Sequence, residues 1–153
     1  MSFAAGARYH IALPALAIHL AADYGGHNFT IKSPSAQRPE IPNVRFRYVR
    51  AGVGASVDLT SRIGVHVEGG YRYILSAGEI ETAMYFPKLD AAAVDSRLAL
   101  RIGIASGIQV ELAGTLERFF FSMNPNPGDP MVAGGATDQY LGGQLSLRYS
   151  PPL

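Results

Sequence analysis

Apolar and polar residues alternate along most of this chain with a period of two. From Ile63 to Leu75 the odd positions are mostly aliphatic or aromatic, and the even positions carry glycine, histidine, glutamate and arginine. Successive side chains of a β-strand point to opposite faces of the sheet, so this run predicts a strand with one apolar and one charged face. Helical spacing does not fit the run better.

The same alternation recurs in five more segments, which makes six clear strands. The segments are about Leu16–Tyr24, Val49–Leu59, Arg97–Ile104, Ile108–Glu117 and Tyr140–Tyr149. The N-terminal run Phe3–Leu13 supplies a seventh strand that turns near Pro14, and an eighth strand is expected upstream. The alternative is one long strand over Arg8–Tyr24, with closure of the sheet by partner chains.

Tight and long connections alternate between these segments. Thr60–Arg62 and Ala105–Gly107 are tight turns, whereas the stretches of about Gly25–Asn43, Ser76–Ala93 and Ser122–Thr137 are long and hold most of the prolines. This order predicts an antiparallel up-and-down sheet of about eight strands with every long loop at one end. Outer-membrane β-barrels have this layout, with short periplasmic turns and long external loops.

The parity of the strands also predicts which residues face each other across the two hairpins. If both turns hold three residues, the flanking apolar positions stay on the same face. The resulting pairs are Arg101 with Glu111, Gly54 with Glu68, Ser56 with His66, and Arg50 with Arg72. Two arginines in facing positions repel each other, so the last pair requires a carboxylate such as Glu117 nearby.

The polar face carries both signs of charge in near balance, and its cations are arginines rather than lysines. Arginine suits a crowded interior because its planar guanidinium pairs with several carboxylates. The pattern therefore favours a charged lumen and an apolar outer face in contact with lipid. The predicted lumen charge network consists of Arg50, Asp58, His66, Glu68, Arg72, Arg97, Arg101, Glu111, Glu117 and Arg148.

Aromatic residues collect near the predicted strand ends, as in the aromatic girdles of membrane barrels. The predicted girdle consists of Tyr24, Tyr71, Tyr73 and Phe120 at the long-loop end and Tyr149 at the other end. Tyr48, Phe119, Phe121 and Tyr140 are grouped with the aromatics of the long-loop end.

Composition narrows the class of protein further. The 153 residues suit one domain, and a net charge of +1 without a basic block argues against nucleic-acid binding. Cysteine is absent, which excludes disulfides, and no apolar run approaches the length of a membrane-spanning helix. No signal peptide is visible, so we expect a mature form with a start Met or the C-terminal part of a larger barrel.

From about Leu16 to Tyr149 the chain resembles the bacterial outer-membrane β-barrel superfamily, in particular small OmpA- and OmpX-like barrels. Its last strand looks like their C-terminal targeting strand, with Gly142, Leu145, Leu147 and Tyr149 at the matching places and a tail of four residues beyond. The resemblance implies a location in the Gram-negative cell envelope. It also implies contact with lipid, lipopolysaccharide and the barrel-insertion machinery, and allows an oligomer or an upstream domain.

Candidate chemistry is limited to one inward-facing group. A serine, a histidine and a glutamate share this face as a possible catalytic triad for hydrolysis or acyl transfer, or as part of a metal site: Ser56, His66 and Glu68. A charged network that fills a small barrel explains the same residues, so we expect no enzyme, no cofactor and no metal. The other histidines show no ligand spacing. The expected function is a structural or narrow-pore, porin-like role, with a barrel enzyme and a soluble lipocalin-like carrier as rivals.

Overall fold

The computed structural model describes residues 2–30, 42–129 and 131–149, and this part of the chain folds as one antiparallel sheet. Its strands lie where the alternating pattern predicts them, although most are several residues longer. The strands are β1 (Ser2–Ala12), β2 (Ala17–Phe29), β3 (Val44–Asp58), β4 (Ile63–Gly78), β5 (Asp90–Ala105), β6 (Ile108–Ser122) and β7 (Gly135–Tyr149). A 3-10 turn, Glu79–Glu81, lies in the connection after β4.

The seven strands follow one another across the sheet in chain order, each antiparallel to the next. This confirms the all-β, up-and-down class. The N-terminal segment turns between β1 and β2, where the Leu13 amide donates to the Leu16 carbonyl at 2.8 Å. The alternative of one long strand over Arg8–Tyr24 is therefore wrong. Within the described residues β1 and β7 each pair with one neighbour, so the sheet is not closed.

The facing pairs predicted from strand parity are all observed. Arg101 faces Glu111, Gly54 faces Glu68, Ser56 faces His66, and Arg50 faces Arg72. The second hairpin differs in detail, because β5 extends to Ala105 and the turn itself is Ser106–Gly107. Gly107 adopts φ 74°, and a register irregularity between Gly103 and Ala105 absorbs the extra residue. The predicted three-residue turn is thus a two-residue turn with an adjacent irregularity.

The sheet curves so strongly that inner-face side chains of distant strands meet. The ring of His27 on β2 lies 6.3 Å from that of Tyr140 on β7, measured between centroids. Arg97 on β5 donates to Gln144 on β7 at 3.0 Å. The polar parity of each strand occupies this concave inner face, whereas the aliphatic parity covers the convex outer face.

A cluster of apolar side chains fills the concave side near the long-loop end. Phe46, Phe119 and Phe121 stack there, with 4.7 Å between the ring centroids of the first two. Tyr48 and Met123 are buried in the same cluster. The aromatics grouped with the long-loop end from sequence do lie at that end, but four of them are on the inner face and are not part of an outer girdle: Tyr48, Phe119, Phe121 and Tyr140. Their parity places them inside, and Tyr140 packs edge-on against Phe119.

The five girdle residues all point outward and are exposed. Three of them lie along one line that crosses five strands, because Tyr24 faces Val49, Val49 faces Tyr73, and Tyr73 faces Ala92. Ala92 in turn faces Phe120, and Tyr71 lies two residues from Tyr73 on the same face. Tyr149 is at the opposite end, across from Ile108.

Candidate functional site

Arg50 is the centre of a buried ion network on the concave face. Its guanidinium donates to three carboxylates: Asp95 at 2.7–3.0 Å, Glu68 at 2.8 Å and Asp23 at 3.1 Å. The side chain is 8% exposed. It passes over Gly52 and Gly70, where a Cβ atom would come within 2.6 Å of its guanidinium group. These two glycines therefore provide the space that a large buried cation needs.

Arg72 faces Arg50 and shares one of its carboxylates. Its Nε donates to Asp95 at 3.0 Å, and its two terminal nitrogens donate to the two oxygens of Glu117 at 3.0 and 2.8 Å. The guanidinium also lies 4.9 Å from the centre of the Tyr48 ring. The carboxylate that bridges the two arginines is Asp95, whereas Glu117 binds Arg72.

The remaining residues of the predicted lumen network lie closer to the short turns. Glu111 accepts from Arg97 at 2.7 Å although it faces Arg101 in the register. Arg101 donates instead to Asp58 at 3.4 Å, where Asp58 is largely exposed. Arg148 lines a cavity beside them. The structure therefore places all ten predicted network residues in one continuous band along the concave side.

Two histidines converge on one carboxylate at the edge of this network. His19 Nε2 lies 3.0 Å from Glu68 Oε2, and His66 Nε2 lies 3.5 Å from the same oxygen. The two imidazole rings stack with their centroids 4.9 Å apart and an interplanar angle of 9°. Ser56 Oγ lies 2.9 Å from the other ring nitrogen of His66, Nδ1. His19 and Glu68 are buried.

Four members of the site are absent from the network predicted from sequence: Arg8, His19, Asp23 and Asp95. Arg8 contacts Glu68 at 3.4 Å from strand β1. Asp95 shares its parity with Arg97 and Arg101, so extending that alternation by two residues would have found it. His19 faces Gly54, which in turn faces Glu68, and this line across three strands was also readable. The absence of a side chain at Gly54 leaves the space that the His19 ring occupies.

A cavity of about 420 Å³ adjoins the histidines on the side of the short turns. Its lining is rich in arginine and histidine. The lining residues are Arg8, His10, Ala17, His19, Ser56, His66, Glu68, Arg97, Arg101, Glu111 and Arg148. Four arginines against two glutamates make this space attractive to anions, with the histidines as additional donors or ligands.

The residues matched to a C-terminal targeting strand all lie on β7, which pairs with β6 along its whole length. Leu145, Leu147 and Tyr149 are exposed on the outer face. Gly142 faces Thr115, where a Cβ atom would lie 2.7 Å from the hydroxyl oxygen. The four-residue tail lies outside the described residues, as do Lys32, Pro34 and Pro39 of the first long loop.

No family model, curated protein or solved structure matches this chain. In the described residues no helix has the length and hydropathy needed to cross a membrane.

Proposed function

We propose that this chain is an outer-membrane β-barrel with a structural or narrow-pore role in the Gram-negative cell envelope. One observation carries the proposal: the polarity of the two faces is the reverse of that in a water-soluble sheet. Large aliphatic side chains are exposed on the convex face, among them Leu98, Leu141, Leu145 and Leu147 at 60–78%. Charged side chains are buried on the concave face.

A water-soluble carrier of the lipocalin type would have the opposite arrangement, with an apolar interior for its ligand. Burial of several ionised groups is costly unless each is paired, and here Arg50 and Arg72 share four carboxylates between them. An outer face of valine, leucine and isoleucine gains nothing from contact with water. Lipid on the outside and a polar interior therefore account for both faces at once.

The filling of the interior favours a structural role or a narrow pore over a wide channel. The stacked rings of Phe46, Phe119 and Phe121 lie towards the long loops, and the Arg50–Arg72 network follows beneath them. Small barrels commonly fill their lumen with side chains in this way. Lipid hydrolysis by Ser56, His66 and Glu68 is not part of the proposal, because these residues face the interior and not the surface that would meet acyl chains.

Closure of the sheet is part of the proposal, since an unpaired edge in lipid leaves backbone groups without hydrogen bonds. Seven antiparallel strands leave β1 and β7 running in the same direction. One further strand between them would make every pair antiparallel, and single-chain bacterial barrels have even strand numbers. The long loops after β2, β4 and β6 would then face the outside, where they are available to ligands or partners.

The outer face is tested by placing one arginine on either side of the same strand. We expect Leu145→Arg to lower the free energy of unfolding in lipid vesicles by about 2 kcal/mol, because the outward guanidinium would enter hydrocarbon. Ser146→Arg is the matched control, because Ser146 is the next residue, points inward and faces Glu111. Urea titration of the vesicle-inserted protein, followed by tyrosine fluorescence, measures both.

If the chain is instead a soluble protein, Leu145→Arg replaces an exposed leucine with a well-hydrated group and costs nothing. Equal stability of the two variants, together with purification of the wild type from the aqueous fraction without detergent, would defeat the membrane proposal. The same fractionation shows whether the chain sediments with the outer membrane.

A further inference from the structure

We propose that His19, His66 and Glu68 form a binding site for one zinc ion, or a similar divalent transition-metal ion, on the inner face of the sheet. Each residue offers one ligand atom, and the three atoms all lie within 4.8 Å of one another. The site does not depend on the membrane location proposed above, because it follows from the positions of these three side chains alone.

The spacing of the ligand atoms matches a zinc coordination sphere. Zinc binds imidazole nitrogen and carboxylate oxygen at about 2.0–2.2 Å, which in a tetrahedron separates the ligand atoms by roughly 3.4 Å. His19 Nε2 and His66 Nε2 lie 3.0 and 3.5 Å from Glu68 Oε2. Small rotations of the side chains are therefore sufficient to admit the ion. Two histidines with one glutamate are also a ligand set of catalytic zinc sites.

The contacts around the ligands hold them in the orientation that a metal requires. Ser56 Oγ lies 2.9 Å from His66 Nδ1. When Nδ1–H donates to that oxygen, the lone pair of Nε2 is directed towards Glu68, and metal-bound histidines are usually fixed by an outer hydrogen bond of this kind. The stacking of the two rings restricts their rotation further.

The cations near Glu68 do not prevent binding, because their charge is largely compensated. Arg50 binds the other oxygen of Glu68, Oε1, and also pairs with Asp23 and Asp95. Arg8 contacts Oε2 at 3.4 Å, but its side chain is half exposed and has room to move away. Oε2 is thus the oxygen that remains for the ion, which would displace the proton shared with His19.

Three protein ligands leave the fourth position of a zinc tetrahedron free. All three ligand residues line the 420 Å³ cavity, so this fourth position would be directed towards that cavity. Arg97, Arg101 and Arg148 line the same cavity. One Arg101 nitrogen, Nε, is buried with no hydrogen-bond partner among the described residues. A small anion such as a carboxylate or phosphate group would therefore suit the fourth position, with the arginines as its other partners.

The experiment is a zinc titration of the metal-stripped full chain in detergent, measured by isothermal calorimetry. We expect the wild type to bind one zinc ion per chain. Loss of a hydrogen-bond partner of a metal ligand lowers metal affinity by about 10- to 100-fold, and loss of a ligand itself should cost at least as much. We therefore expect His66→Gln to lower zinc affinity by at least about 100-fold. His27→Gln is the matched control. His27 lies on β2, on the same face as His19, but its ring contacts Tyr140 and not Glu68. It should bind zinc as the wild type does.

X-ray absorption at the zinc edge of the wild type gives a result that does not require a folded variant. The expected spectrum contains two imidazole ligands and light oxygen or nitrogen atoms at about 2.0–2.1 Å. Lack of stoichiometric binding by the wild type, binding that survives His66→Gln, or an equal loss in His27→Gln would each overturn the proposal. None of these results would alter the outcome of the Leu145→Arg test of the barrel.

Discussion

Gly54 shows how one missing side chain determines the histidine cluster. A Cβ atom at this position would collide with the ring of His19 and would lie 2.8 Å from the carbonyl oxygen of Val67. The ring of His19 therefore reaches Glu68 only because residue 54 has no side chain. Strand glycines often mark a close approach of this kind.

We expect Gly54→Ala to lower the free energy of unfolding by about 1–3 kcal/mol, the usual cost of overpacking a filled interior. Gly143→Ala is the matched control, because a Cβ atom there meets nothing within 4 Å. Denaturant titration of both variants measures the difference. If Gly54→Ala is as stable as Gly143→Ala, His19 does not occupy the space above Gly54.

Asp95 resolves the conflict between Arg50 and Arg72, which face each other on β3 and β4. Its two oxygens accept hydrogen bonds from both guanidinium groups at 2.7–3.0 Å. A buried network of this kind adds little net stability over apolar packing, but it is costly to break once formed. The two arginines are therefore tolerated in facing positions because a third strand supplies the bridging carboxylate.

At the scale of the strand, β6 separates two neighbouring phenylalanines into different environments. Phe119 is 1% exposed in the inner aromatic cluster, whereas Phe120 is 41% exposed on the outer face. We expect Phe119→Ala to cost about 3–5 kcal/mol in stability, because it leaves a cavity among Phe46 and Phe121. Phe120→Ala should cost less, because it removes contacts on one side only.

Unfolding of the two variants under the same conditions provides the comparison. The pair is informative because both changes remove the same atoms from adjacent residues of one strand. Equal losses in the two variants would mean that the inner aromatic cluster is not packed as described.

The sequence was sufficient to predict the strands and their faces, because a period of two needs only local information. The same parity assigns Tyr48 and Phe119 to the inner face, next to Arg50 and Glu117 on their strands. Grouping them with the girdle by their nearness to strand ends ignored that parity. The strand ends themselves were predicted too short, because β5 begins with alanines that carry no alternation.

The contacts across the interior were harder to predict than the register. Parity gives the face on which His19, Glu68 and Asp95 lie, but whether residues two or three strands apart meet depends on the curvature of the sheet. The salt bridge of Glu111 with Arg97 illustrates this, because the facing residue in the ladder is Arg101. A long side chain selects among several partners within reach, and the ladder alone does not decide between them.

For the whole molecule, the interior has a consistent order from one end of the strands to the other. The arginine-lined cavity lies nearest the short turns, the histidine cluster and the Arg50 network follow, and the aromatic cluster lies beneath the long loops. The ion pairs of Arg50 and Arg72 with Asp95 lie between the cavity and the aromatic cluster. Because these groups are shielded from water, their attraction is stronger than it would be in water. The cavity therefore lies at the short-turn end of the interior, whereas aromatic rings fill the long-loop end.

The edges β1 and β7 provide the last test, because the whole-molecule proposal requires both to be paired in the membrane. In an antiparallel strand alternate amides point to each neighbour, so half of the amides of β1 and of β7 point away from β2 and β6. If the barrel is closed in lipid, we expect these outward-directed amides to exchange hydrogen for deuterium as slowly as those of β4, which has a partner on each side. Exchange measured by mass spectrometry on the protein in lipid nanodiscs tests this, with the 79–89 connection as the fast-exchanging reference. We expect closure because unpaired backbone groups are costly in hydrocarbon. Rapid exchange confined to alternate amides of β1 and β7 would show that the sheet is open in lipid and would contradict the proposal.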